Sequence, residues 1–102
     1  MEYYKETPAM VGLATTYDAT INTSTEITLN AATSLLEVAA LDKAILLKWG
    51  TADASTSAFN EVIPANSVRH FVVPKDSTTG VRYTAVNFIE QAATAILICI
   101  EK

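Results

Sequence analysis

The stretch "NSVRHFVVP" holds the chain's single histidine, His70, directly after Arg69. A histidine beside a cation suggests a general base, a metal ligand or an anion hook, and each of these needs partners elsewhere in the chain. In an extended segment successive side chains alternate, so His70 shares a face with Val68 and Val72 while Arg69, Phe71 and Val73 take the other. The two basic groups then do not converge on one ligand, and His70 reads as a structural or interface residue. The lone Cys99, set between Ile98 and Ile100, reads as a buried thiol. A nucleophilic cysteine would need a nearby base or a helix N-terminus. With one cysteine there is no internal disulfide, and no histidine near it completes a zinc set.

The remaining chemistry-bearing residues are dispersed. Asp18, Asp42, Asp53 and Asp76 stand singly in turn-like segments, and none opens the D-x-[DN]-x-[DN]-G spacing of a calcium loop. Gly12, Gly50 and Gly80 are isolated, so no glycine-rich phosphate loop is formed, and no G-x-S-x-G elbow is present. Glu61 and Glu90 would suit a glycosidase only if they met across strands. Tyr3, Tyr4, Trp49, Phe59, Phe71, Tyr83 and Phe88 could line a sugar-binding face, although core packing explains most of these positions. The expectation is a non-enzyme with no catalytic, metal-binding or cofactor-binding residues.

The elements that would carry these residues are β-rich. A chain of 102 residues fits one domain with one core. Half of it is hydrophobic and 18% is charged, which is apolar for a lone small domain and predicts that a partner covers part of the surface. The net charge of −4, with basic residues scattered singly, offers no stripe to neutralise phosphates, so nucleic acid is not expected as a partner. No apolar run approaches the ~20 residues of a membrane helix and the N-terminus lacks a signal-peptide pattern, so no membrane role is expected. The lone thiol suits synthesis in a reducing cytoplasm.

Residues 1 to about 25 read as an extended N-terminal arm, with Tyr3 and Tyr4 offering contact area at low rotamer cost and "MVGLATTY" as a strand candidate. From residue 26 to 102, short strand-sized runs alternate with polar turns: "EITLN", "SLLEVAAL", "KAILLKW", "SVRHFVVP", "VRYTAVNFIE" and "ATAILICIE". That spacing predicts an all-β domain, an antiparallel β-sandwich of jelly-roll or Ig-like type with about six to eight strands. "LLEVAALDKAILLKWG" reads as a hairpin turning at Asp42 and Lys43, because Leu36, Val38 and Ala40 alternate before the turn and Ile45, Leu47 and Trp49 after it. The terminal "AILICI" is apolar on both sides. Such a strand is either central and doubly covered or pressed against another subunit, and Leu97 and Cys99 are taken, with Tyr3 and Tyr4, as interface residues.

"EITLNAATSLLEVAALDKAILLKWGT", "VIPANSVRHFVVP" and "TAVNFIEQAATAILICIE" together resemble the small β-sandwich virion proteins of tailed bacteriophages, over about residues 20 to 102. The shared features are an aliphatic-Lys-Trp-Gly ending, a proline turn followed by an Arg-containing strand ending at Val73-Pro74, and an Ala-rich aliphatic terminal strand. The resemblance implies a non-enzymatic capsid decoration or cement protein, made in the host cytoplasm and located in the virion. It also implies a homo-oligomer, preferably a trimer, that contacts the major capsid protein or other virion proteins. No family site residues are carried over, since the group has no catalytic motif. The alternative is a carbohydrate-binding or tail- or fibre-associated β-sandwich module.

Overall fold

A computed structural model describes residues 14–102. The described chain is all-β, with eight strands: β1 (Ala14–Asp18), β2 (Thr25–Thr28), β3 (Leu35–Leu41), β4 (Ile45–Trp49), β5 (Glu61–Ile63), β6 (Ser67–Val72), β7 (Ala85–Glu90) and β8 (Ile96–Glu101). They form two four-stranded antiparallel sheets, β1-β8-β3-β6 and β2-β7-β4-β5.

The pairing has a simple order. β1 pairs with β8, β2 with β7, β3 with β6 and β4 with β5, so the chain runs out and back as one long antiparallel ribbon whose tip is the β4–β5 connection. The ribbon is rolled so that its pairs fall alternately in the two sheets, and the lateral pairings β3–β8 and β4–β7 close each sheet. Of the two sandwich types expected, this is the jelly roll.

Alternation in each strand builds the core. Leu36, Val38 and Ala40 of β3, Leu97 and Cys99 of β8, Ile45 and Leu47 of β4, and Val86 and Phe88 of β7 all point between the sheets and are buried. Trp49 and Tyr83 pack at the margin of this cluster, 6.3 Å apart and nearly parallel, and the Phe71 ring meets Trp49 edge-on at 6.1 Å.

Three connections are tied together at one end of the sandwich. Asp42 takes a positive φ of 78°, a conformation Asp tolerates better than most residues. Its N–H donates to Asn66 Oδ1 at 2.9 Å, and its carboxylate accepts from Thr94 Oγ1 at 3.1 Å. At the other end the buried Glu101 Oε1 accepts from the Asn30 N–H and from Thr33 Oγ1, both at 2.7 Å, which fixes the β2–β3 connection to β8.

Four local expectations are revised. The segment 35–49 is not a hairpin: β3 and β4 lie in different sheets, and the turn at Asp42 is an arch that carries the chain across the core. Alternating apolar residues on both sides of a short turn satisfy either arrangement, because in both the apolar faces meet the same interior. The sandwich begins earlier than residue 26. β1 is a full antiparallel partner of β8, and Ile21 is completely buried, so only residues 1–13 of the expected arm, including Tyr3 and Tyr4, lie outside the described residues. Glu61–Ile63, absent from the strand-sized runs expected, is a short edge strand beside β4. Finally, Leu97 and Cys99 are inside the sandwich, 0% and 1% exposed, which turns the other side of β8 outward.

Candidate functional site

The sheet β1-β8-β3-β6 has an outer face that is largely apolar and open. Its register places side chains in cross-strand rows: Tyr17, Ile98, Ala39 and Val68 in one, Thr15, Ile100, Glu37 and His70 in the next, with Leu35 beside Val72 and Ile96 beside Leu41 at the ends. Val72, Tyr17 and Val68 are 73%, 64% and 51% exposed, and Leu35 and Leu41 are exposed as well, while the three isoleucines of β8 are half-buried by their neighbours. Scattered apolar side chains are ordinary on a surface; here they are contiguous across four strands, which makes this face the candidate contact surface.

The opposite outer face is covered over its central strands, while Glu26, Thr28 and Val62 on its edge strands are exposed. On the β2-β7-β4-β5 sheet Leu46, Ala85 and Asn87 are 3%, 5% and 1% exposed. Asn87 Nδ2 donates to the Gly50 carbonyl at 3.0 Å, Ser24 Oγ donates to Asn87 Oδ1 at 2.9 Å, and the buried Ala54 N–H donates to Ser24 Oγ at 2.9 Å. The long β4–β5 connection is thereby fastened to the outer side of this sheet. The contrast between the two faces is the main asymmetry of the molecule.

The open face carries one charged cluster. Lys102 Nζ donates to Glu37 Oε1 at 2.8 Å, and His70 Nε2 lies 3.5 Å from the same oxygen. Glu37 and Lys102 side chains are 29% and 26% exposed, whereas His70 is 72% exposed. The hydrogen bond from Lys102 holds the Glu37 carboxyl below its ordinary value against the opposing effect of partial burial, with further help from the Lys102 charge and from His70. This is a pairing geometry within a sheet face, with His70 as its outermost member.

Arg69 points away from this cluster, as alternation predicts. Its guanidinium lies 5.2 Å from the Phe71 ring centroid, and Nη1 donates to the Val62 carbonyl at 3.0 Å, bridging the edges of the two sheets. Burial and the Glu101 charge push the Cys99 thiol up to about 12, so it stays protonated at neutral pH. Glu61 on β5 and Glu90 on β7 are separated by β4, about 10 Å of sheet, and do not form a facing pair. Among the aromatic residues considered for sugar binding, Phe88 is fully buried and Phe59 is exposed. Among the described residues, no group of three His, Cys, Asp or Glu side chains is placed to hold a metal ion.

A concavity of about 330 Å³ is lined by Asp76, Thr79, Val81, Arg82, Tyr83 and Thr84 on the β6–β7 connection. The sequence reading missed the Glu37–Lys102 pair, although Leu35, Glu37, Ala39 and Leu41 already form the second alternating set of β3. No protein-family model, curated protein or solved structure matches the chain.

Proposed function

We propose that this chain is a non-enzymatic structural protein that works by contact through a β-sandwich face, and that its setting is a virion. In this reading it is a capsid decoration or cement protein of tailed-phage type, binding the major capsid protein. The observation that carries it is the open apolar face of β1-β8-β3-β6, set against the centrally covered face on the other side. The sequence resemblance points the same way. The jelly roll is an architecture used by viral capsid and lectin domains, which makes it compatible with the reading without deciding it.

The test is binding of the purified full chain to empty capsids of its source phage, together with a mass-spectrometric inventory of purified virions. Presence in the virion at high copy number, with saturable capsid binding weakened by deleting residues 1–9, is the expected result. Absence from virions, or capsid binding indifferent to that deletion and to charges placed on the open face, counts against it.

A second reading, glycan binding, is favoured by one feature. The concavity on the β6–β7 connection combines an aromatic ring, Tyr83, with Arg82 and Asp76, a mixture suited to a sugar's apolar face and hydroxyls. Glycan-array binding abolished by Tyr83→Ala would move the assignment there.

A further inference from the structure

We propose that the concavity on the β6–β7 connection binds a single terminal, uncharged hexose of a glycan. The inference rests on the second reading above and deepens it by naming the ligand. The concavity lies on a connection at the end of the sandwich where Arg82 reaches towards the Thr33 carbonyl, so the site is additional to the face of β1-β8-β3-β6 and does not compete with contact through it.

Charge is the first argument. Asp76 and Arg82 both line the concavity, yet among the described residues the ion pairs are those of Glu37 and none joins these two. Each is held by a backbone group instead. Asp76 Oδ1 accepts from the Thr78 N–H at 2.8 Å, and Arg82 Nη1 makes a long contact of 3.5 Å to the Thr33 carbonyl. One concavity therefore offers carboxylate acceptors and guanidinium donors whose charges cancel. A hydroxyl both donates and accepts, so neighbouring hydroxyls of one ring answer the two groups together. A ligand carboxylate would meet Asp76 and a ligand ammonium would meet Arg82, and this repulsion selects an uncharged ligand.

Rigidity is the second argument. Tyr83 lines the concavity while its ring is stacked with Trp49 at 6.3 Å and 17°. Gly50 lies against the same ring, where a Cβ would stand 3.4 Å from Cε1. The ring is thus fixed before a ligand arrives, and ordering it costs binding little. With Val81, which is 61% exposed, it supplies apolar surface for the C–H groups of a pyranose. The loop is fixed as well. The Asp76 N–H donates to the Val81 carbonyl at 2.8 Å and the Gly80 N–H to the Asp76 carbonyl at 2.7 Å, with Gly80 at a φ of 70°.

Size is the third. A volume of about 330 Å³ is at the small end of ligand sites, with room for one sugar ring and little of the next, so the site takes the end of a glycan. One ring held by so few groups binds in the millimolar range. Many copies on one particle would turn that weak contact into attachment.

Amide-resolved NMR titration of the full chain with a panel of neutral methyl hexosides to about 20 mM tests this, since that limit covers millimolar binding. Methyl glucuronide and glycine serve as the acidic and zwitterionic probes. The expected result is saturable shifts confined to residues 76–84 and their neighbours with at least one neutral hexoside. Arg82→Met, at an exposed position, should weaken that binding at least about tenfold through lost charged hydrogen bonds, with an unchanged circular dichroism spectrum. Hexoside binding indifferent to Arg82→Met, glycine binding in place of hexoside binding, or no saturable shift with any probe overturns the proposal. The glycan reading is judged separately. Preference for the glucuronide, or glycan-array binding lost in Tyr83→Ala without any response to single hexosides, refutes the terminal uncharged hexose while leaving that reading standing, and an array without binding removes both.

Discussion

Lys102 Nζ and Glu37 Oε1 stand 2.8 Å apart on the open face, joining the end of the chain to the middle of β3. The Glu37 carboxyl is held below its ordinary value of 4.5 by this contact. A carboxyl with a depressed folded-state value contributes stability that is fully present above the unfolded value, and that stability is lost as pH falls through the folded value. Glu37→Gln should therefore lower the melting temperature at pH 7 by a few degrees, consistent with about 0.5 kcal/mol for a partly exposed pair. The difference between variant and wild type should shrink as pH falls below 4.5 and vanish once Glu37 is protonated in the folded state. Thermal melts at pH 7 and through the acid range check this, and a difference independent of pH would mean that the pair is not the source.

Leu97 is fully buried between the sheets. Leu97→Ala should cost about 2–5 kcal/mol through lost burial and a residual cavity, and Leu97→Asp should prevent folding, because it places a charge in the core without a designed partner. Urea titration followed by tryptophan fluorescence measures the first and circular dichroism the second. A folded but dissociated Leu97→Asp would return this residue to an interface role.

Strand existence was legible in the sequence because alternation and turn residues are local signals. Six of the eight strands correspond to runs evident in the composition, and β1 to a weaker one. β5 escaped notice because three residues before a proline carry too little pattern. The arch at Asp42 could not be distinguished from a hairpin, since choosing between sheets depends on the distant partners β6, β7 and β8. The same limit applied to the site. In "AILICI" both sides are apolar, and alternation reveals that there are two sides without saying which one turns inward. Leu97 and Cys99 were therefore taken for the outward side when Ile96, Ile98 and Ile100 are the ones that turn outward. The pair Glu37–Lys102 joins residues far apart in sequence, and no local pattern announces it.

Cys99 is 1% exposed and its thiol is pushed up to about 12. Native protein should resist an aromatic disulfide reagent at pH 8, and one thiol per chain should appear on addition of denaturant. Rapid labelling in the native state would show that β8 opens readily.

Asn87 holds the β4–β5 connection against its sheet through Gly50 and Ser24. Asn87→Ala should leave the Gly50 carbonyl and Ser24 hydroxyl short of a partner and cost about 1–3 kcal/mol. Limited proteolysis should then cut between residues 50 and 60 faster than in wild type. Unchanged cleavage would place the anchor of that connection elsewhere.

The rolled ribbon has a kinetic consequence. Its tip, β4 with β5, joins strands near in sequence, whereas its open end, β1 with β8, joins Ala14 to Glu101. Each further pair along the ribbon closes a longer loop than the one before, and such non-local pairing is slow to form. The tip can therefore zip early, while β1, made first, must wait for β8 before it can pair. During that interval β1 and the β8 side of β3 are unpaired edges, and it is these edges that are exposed to association with other chains.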